Sequence, residues 1–138
     1  MVDKSVDLSK IWLFSACSKS ELEVIARLIE QVKISNGKVL CNEGELGREF
    51  FFILNGTATV QRGGSKIATL TEGQYFGELS LLDKMPRSAT VTASTNMTLL
   101  VIDRRQFIGI LDAFPSISRK LLAAMASRIR ESDQKAIH

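Results

Sequence analysis

Two charged residues in the segment FGELSLLDKMPRSATVTA, which runs from Phe76 to Ala93, have neighbours and a spacing that could support chemistry. Glu78 follows Gly77, and Arg87 stands nine positions after the acid. The apolar residues around them are typical of a protein core, so we expect both charges close to a packed wall. A charge in such a place needs a partner. Glu78 and Arg87 therefore either pair with each other or bind a polar group that the chain does not contain.

The same segment combines donors and acceptors that suit a nucleotide. Gly77 has no Cβ, so backbone there can approach a ligand closely. The stretch ELSLL is long enough for about one helical turn, whose first amides lack internal partners and attract a phosphate. Arg87, which follows Pro86, is a planar, permanently charged donor that fits phosphate oxygens in a bidentate way. The Glu78 carboxylate can accept a hydrogen bond from a ribose hydroxyl. These residues favour a nucleotide, while a loop-closing salt bridge remains the alternative.

The elements that must position this segment are helical at both ends of the chain and strand-like in the middle. The sequence SKSE at 18–21 has the form of a capping box and predicts a helix over about residues 19–29, with a shorter helical turn around 8–14. Between Val32 and Asp103, short strand-like runs alternate with glycines at spacings that suit turns. Asn55-Gly56 and the stretch RGGSK predict two hairpins. So many short antiparallel strands are typical of a barrel or jelly-roll.

The C-terminal part returns to a helical pattern. Asp103 is predicted to cap a helix with Gln106 at its third position, and Pro115 suits the first turn of a last helix. That last helix carries an apolar stripe: Ile117, Leu121, Met125 and Ile129. Such a stripe indicates either core packing or a partner-facing surface.

Composition excludes several classes of function. The 138 residues carry a net charge of only +3 with scattered basic residues, so we expect no DNA binding by this chain alone. The longest apolar run, Phe50 to Leu54, is too short to span a membrane, and the N-terminus lacks a secretory pattern, which indicates the cytoplasm. Cys17 and Cys41 are predicted to be free thiols. The single histidine, at position 138, argues against a cupin metal site or a Ser-His-Asp enzyme, so we expect no metal and no catalysis.

The segment at 76–93 resembles the phosphate-binding cassette of cyclic nucleotide-binding domains, which occur in catabolite activator proteins, protein kinase A regulatory subunits and cyclic nucleotide-gated channels. The stretch GKVLCNEGELGREFFFILNGTATV resembles the early strands of that family, and the resemblance covers roughly residues 8–135. It implies a single domain, 1–138, that is mainly β: an eight-stranded antiparallel jelly-roll β-barrel over about 31–103. N-terminal helices over about 8–30 and C-terminal helices over about 104–134 would flank it.

The resemblance also implies roles for seven ligand-binding residues: Gly77, Glu78, Leu79, Ser80, Arg87, Ser88 and Ala89. Arg87 would pair with the cyclic phosphate, helped by Ser88. The backbone amides of Ser80 and Ala89 would add further donors to the phosphate. Glu78 would accept a hydrogen bond from the ribose 2′-hydroxyl. The Gly77 and Leu79 backbones would lie beside the same part of the ligand.

The ligand implied is cAMP in preference to cGMP, with no other cofactor. Members that prefer guanine often have threonine after the arginine, whereas Ser88 is typical of those that prefer adenine, although its hydroxyl could also serve cGMP. The chain shows no helix-turn-helix, second cassette or membrane helix. We therefore expect a regulatory sensor whose terminal helices relay binding to an effector domain or partner protein, with a homodimer through the last helix as one arrangement. The alternative is a jelly-roll interaction module that binds no nucleotide.

Overall fold

Antiparallel strands form two sheets in the computed structural model, which describes residues 2–137, with side chains up to residue 133. The strands are β1 (Glu30–Ile34), β2 (Val39–Cys41), β3 (Glu49–Asn55), β4 (Ala58–Arg62), β5 (Ser65–Leu70), β6 (Tyr75–Phe76), β7 (Thr90–Ala93) and β8 (Met97–Asp103). One sheet has the order β1-β8-β3-β6, and the other has the order β2-β7-β4-β5. The predicted eight-stranded antiparallel architecture is confirmed, in the form of two four-stranded sheets.

One of the two predicted hairpins is correct. β4 pairs with β5, and Arg62 lies opposite Ser65 across a two-residue turn. Both turn residues, Gly63 and Gly64, have positive φ, at 58° and 81°. A tight turn of this kind needs positive φ at both central positions, which glycine adopts without steric cost.

The hairpin predicted at Asn55-Gly56 is wrong. β3 pairs with β6 and β8, whereas β4 pairs with β5 and β7, so the chain crosses between sheets at this point. Gly56 does have the positive φ of a turn, 93°. However, the Asn55 side chain accepts a hydrogen bond from the Thr98 N–H at 3.0 Å, which ties the end of β3 to β8. The dipeptide indicated the local turn, but the partners of each strand depend on distant residues.

The helices follow the predicted caps. They are α1 (Lys19–Leu28), α2 (Glu78–Asp83), α3 (Arg104–Ala113) and α4 (Pro115–Ile137), with short 3-10 turns at Leu8–Lys10 and Trp12–Phe14. Ser18 and Glu21 form the reciprocal capping box, and the Asp103 side chain accepts a hydrogen bond from the Gln106 N–H at 2.8 Å. Both caps satisfy amides that a helix start leaves without partners.

The apolar stripe of α4 is buried only in its first half. Ile117 and Leu121 are 2% exposed, Met125 is partly buried, and Ile129 is 61% exposed. Ile117, Leu121 and Met125 therefore fit the first of the two predicted roles, core packing. Ile129 is exposed because α4 extends past the core, so a partner-facing role stays a prediction for it. Within residues 2–137, no helix has the combined length and apolar character that crossing a bilayer requires.

Two hydrophobic cores explain why β3 reads as an unbroken apolar run. Phe50 and Phe52 face a core shared with the helices, whereas Phe51 and Ile53 face a core between the two sheets. A strand whose faces are both buried needs no polar alternation. The two residues of β6 also face different cores, Tyr75 the helical one and Phe76 the one between the sheets, and β6 is followed by α2. The segment predicted to carry chemistry therefore begins where the two cores meet.

Candidate functional site

All seven residues that the sequence predicted to bind a ligand line one cavity of about 210 Å³. Its apolar lining comes from both sheets: Cys41, Val60, Ala68, Leu70, Phe76 and Val91. Arg62 and Arg128, which the sequence prediction did not include, line the same cavity. The fold thus brings the predicted residues together, and their contacts with a ligand stay predictions.

Gly77 is the N-cap of α2 and has a left-handed backbone, with φ 92°. A Cβ at this position would lie 2.7 Å from both Arg87 Nη1 and the Glu49 carbonyl oxygen. Gly47 has a similar role, because a Cβ there would lie 2.4 Å from the guanidinium carbon of Arg87. The two glycines therefore make the space that the Arg87 side chain occupies.

Arg87 is 9% exposed and its guanidinium is held by backbone carbonyl groups. Nη1 donates to the Gly77 oxygen at 2.9 Å, and Nη2 donates to the Glu49 oxygen at 2.7 Å. A guanidinium has five N–H donors, so these two contacts leave further donors for a ligand. Both acceptors are neutral and do not cancel the positive charge. Arg87 is thus a buried, oriented cation at the cavity.

Glu78 is 5% exposed and forms an ion pair with Arg128 of α4, with Nη1 and Oε1 3.2 Å apart. Burial raises the pKa of the Glu78 carboxyl, while the charges of Arg128 and Arg87 act in the opposite direction. The first alternative raised by the sequence, a direct salt bridge between Glu78 and Arg87, is therefore not what the structure contains. The acid pairs with a different arginine, fifty positions along the chain.

Arg128 also contacts Tyr75, which is the residue before Phe76 in β6. Nη2 donates to the Tyr75 carbonyl oxygen, and the guanidinium carbon lies 3.7 Å from the centre of the ring, in a cation–π contact. The sequence did carry a signal for this residue. Arg128 follows Met125 by three positions and Leu121 by seven, so it continues the apolar stripe of α4 as a charged residue.

Tyr75 was missed because an isolated aromatic residue in a strand is usually core. It is 3% exposed, and its ring packs against Phe50 and Trp12 with both centroid distances at 5.9 Å. Its hydroxyl is buried without a hydrogen-bond partner among the described residues. Burial also raises its pKa, as it raises that of the Cys41 thiol in the same cavity to about 11. Cys17 and Cys41 are free, as predicted.

Comparison with known proteins agrees with the fold and the cassette. The family model described as "Cyclic nucleotide-binding domain" matches residues 31–114. The cAMP-dependent protein kinase regulatory subunit of Schizosaccharomyces pombe is 30% identical over 132 residues, which cover 95% of this chain and 32% of that protein. The cGMP-dependent protein kinase of Eimeria tenella is 32% identical over 127 residues, which cover 91% of this chain and 12% of that protein.

A solved structure shares the architecture as well. The crystal structure of the Thermus thermophilus catabolite activator protein superposes with a TM-score of 0.80 at 28% identity. The match covers 91% of this chain and 61% of that one. This chain therefore spans about a third or less of the two kinase-related proteins and under two thirds of the activator.

The chain belongs to the cyclic nucleotide-binding domain family. That family is one of regulatory modules, and the resemblance inferred from the cassette is confirmed.

Proposed function

We propose that this chain binds a cyclic nucleotide in the cavity, with cAMP favoured over cGMP, and that it acts as a non-catalytic regulatory sensor. The observation that carries the proposal is that a buried cation, Arg87, and a buried carboxylate, Glu78, line one cavity without forming an ion pair with each other. A cyclic ribose phosphate has an anionic end and a hydroxyl end, so it matches these two groups. We treat residues 1–138 as a single domain.

The phosphate end of the ligand would lie against Arg87. Its hydrogen bonds to two carbonyl groups orient the guanidinium before any ligand arrives, which lowers the entropy cost of binding. A cyclic phosphate carries one negative charge, so a single arginine can neutralise it. The Ser88 hydroxyl and the backbone amides of Ser80 and Ala89, which line the same cavity, would supply the remaining donors.

The ribose end would lie against Glu78. The carboxyl must be ionised to accept a hydrogen bond from the 2′-hydroxyl, yet burial raises its pKa. Arg128 counteracts that shift, because a neighbouring cation stabilises the charged carboxylate. We infer that Arg128 keeps Glu78 competent to receive the ligand.

The same ion pair offers a route from the cavity to α4. Arg128 attaches the helix to Glu78 and to the Tyr75 carbonyl. A ribose hydroxyl on Glu78 would share the carboxylate with Arg128 and so change how firmly α4 is held. The ligand would shift the equilibrium between two arrangements of α4, by an amount set by the difference in its affinity for them. The output would be an effector domain or a partner protein.

A homodimer through α4 remains part of this hypothesis. Leu122 and Ile129 are seven positions apart on α4 and are 63% and 61% exposed, so one face of the helix presents apolar side chains. The inference that cAMP is preferred over cGMP rests on Ser88 alone, since relatives named for each cyclic nucleotide are similarly identical to this chain, at 30% and 32%.

Isothermal titration with cAMP, cGMP and 5′-AMP tests the proposal. We expect saturable binding of cAMP, weaker binding of cGMP, and little binding of 5′-AMP, because its extra charge and open phosphate do not fit one arginine. Chromatography of the cAMP after incubation should show it unchanged, as for a sensor. If neither cyclic nucleotide gives heat or a thermal shift, the alternative of an interaction module that binds no nucleotide is preferred.

A further inference from the structure

Arg62 is an arginine at the cavity for which the proposed function has no role. It is the last residue of β4, and its side chain lines the cavity. Its Nε donates to the Ser88 carbonyl oxygen at 2.9 Å, across 26 positions of sequence. The contact therefore joins β4 to residues 87–89, the part of the cassette that we call the cassette arm.

The cassette arm has a second attachment, on the loop between β2 and β3. The Gly44 N–H donates to the Arg87 oxygen at 2.9 Å, and the Arg87 N–H donates to the Glu45 oxygen at 2.7 Å. These bonds hold the backbone of Arg87 itself. The peptide that follows Ser88 is held from a different element, β4, through the Arg62 guanidinium.

The position of Arg62 is itself well defined. The next residue, Gly63, donates its N–H to Glu43 Oε1 at 2.9 Å. Gly63 and Gly64 form the tight turn that begins β5. The backbone that carries Arg62 is thus anchored on both sides, in the β4 ladder and in the turn.

A hydrogen bond to the Ser88 carbonyl does more than hold one atom. The peptide unit is planar and no peptide bond among residues 2–137 is cis, so the Ser88 C=O and the Ala89 N–H point in opposite directions. Fixing the carbonyl therefore fixes the direction of the Ala89 N–H. The donor is charged, which makes the bond shorter and stronger than a neutral one.

We propose that Arg62 is a positioning residue: it holds the peptide between Ser88 and Ala89 in the orientation that receives the cyclic phosphate. This inference rests on the proposed function, because the orientation of that peptide matters for binding only if the phosphate lies there. Arg62 acts through the cassette arm and not by contacting the ligand.

The variant Arg62→Met tests the proposal, because methionine keeps an apolar stem but removes both the donors and the charge. Lys66→Met is the matched control, since Lys66 is an exposed cation on the neighbouring strand, β5, and does not line the cavity. We expect Arg62→Met to weaken cAMP binding about fivefold, which corresponds to the net contribution of one typical hydrogen bond. Lys66→Met should bind like the wild type.

Salt separates positioning from a simple charge effect. Titrations at about 0.05 M and 0.5 M salt should show the same loss for Arg62→Met, because long-range attraction between exposed charges is screened at the higher concentration. A loss that disappears at high salt would mean that Arg62 acts only through its charge, and the proposal would be wrong. Unchanged affinity in Arg62→Met at both concentrations would also overturn it.

A measurement without ligand keeps this inference separate from the proposed function. In ¹⁵N-¹H spectra of the free protein, the Ser88 and Ala89 amide signals should move in Arg62→Met and stay in place in Lys66→Met. If the wild type binds no nucleotide, the proposed function fails, and these signals still report whether Arg62 orients the cassette arm. Signals that do not move in Arg62→Met would refute the positioning role directly.

Discussion

Replacing Arg87 by glutamine is the most direct test of the site. The wild-type guanidinium is 9% exposed and already oriented by the Gly77 and Glu49 carbonyls. Without it, a bound cyclic phosphate would be desolvated and left without its cation. Truncating one partner of a buried charge pair costs on the order of 2–5 kcal/mol of binding free energy. This corresponds to an affinity for cAMP lower by about 30-fold to about 5,000-fold.

The same substitution should also change the free energy of unfolding. Two carbonyl groups lose a donor, which costs about 1–3 kcal/mol for each group left without a partner, and part of this is offset because a charge is no longer buried. Urea unfolding of the ligand-free protein measures this change in the free energy of unfolding, whereas titration calorimetry measures the change in binding. Circular dichroism confirms that the protein titrated is folded.

Arg119→Gln is the matched control, because Arg119 is exposed on α4 and does not line the cavity. It removes the same charge and should leave cAMP affinity within about twofold of wild type. If Arg87→Gln also stays within about twofold while the wild type binds cAMP, the phosphate is not held by Arg87. The assignment of the anionic end of the cavity would then be wrong.

Three further substitutions test the neighbouring parts of the site. Gly77→Ala should lower the free energy of unfolding by more than the roughly 1–2 kcal/mol that a left-handed backbone costs alanine, because its Cβ would lie 2.7 Å from the Arg87 side chain. Gly73→Ala, with φ 84° and nothing within 4 Å of a Cβ, should show the backbone cost alone in the same urea unfolding. Arg128→Gln should speed hydrogen exchange in α4 of the ligand-free protein, since it breaks the contact with Glu78, whereas Arg130→Gln should not. Equal exchange in both variants would mean that the Arg128–Glu78 ion pair does not hold α4. Glu78→Gln should remove a pH dependence of stability. Burial places the folded-state pKa of Glu78 above 4.5, so wild-type stability should fall as pH rises through the interval above that value. An identical pH slope in wild type and Glu78→Gln would contradict this.

The sequence predicted well where the governing contacts are short-range. The capping box at Ser18, the cap at Asp103 and the turn at Gly63-Gly64 each depend on residues within a few positions of one another. The prediction at Asn55-Gly56 failed for the opposite reason. Gly56 makes the expected local turn, but whether the next strand returns beside β3 depends on β8, whose Thr98 bonds to Asn55 across 43 positions.

The stripe on α4 shows a similar division. Helical spacing correctly grouped Ile117, Leu121 and Met125 on one side, because the period of a helix is a local property. Spacing does not report where the core beneath the helix ends, so it left open whether the stripe packs in the core or faces a partner, and Ile129 is 61% exposed.

The segment at 76–93 could be predicted from the sequence as the part of the chain that carries the site. Glu78 and Arg87 stand within ten positions of each other, Gly77 precedes the acid, and all seven predicted residues line one cavity. Residue type, spacing and the need of a buried charge for a partner favoured a nucleotide at Glu78 and Arg87, because one short segment supplies both groups. The resemblance to the family implied the full set of seven residues.

Only the tertiary structure decided which residues complete that site. Glu78 pairs with Arg128 across fifty positions, and Arg62 holds Ser88 across twenty-six. Both contacts join separate elements, and their existence depends on how α4 and β4 pack against the cassette. A sequence pattern describes which face of an element is apolar or charged, but the packing of the two cores determines which faces meet.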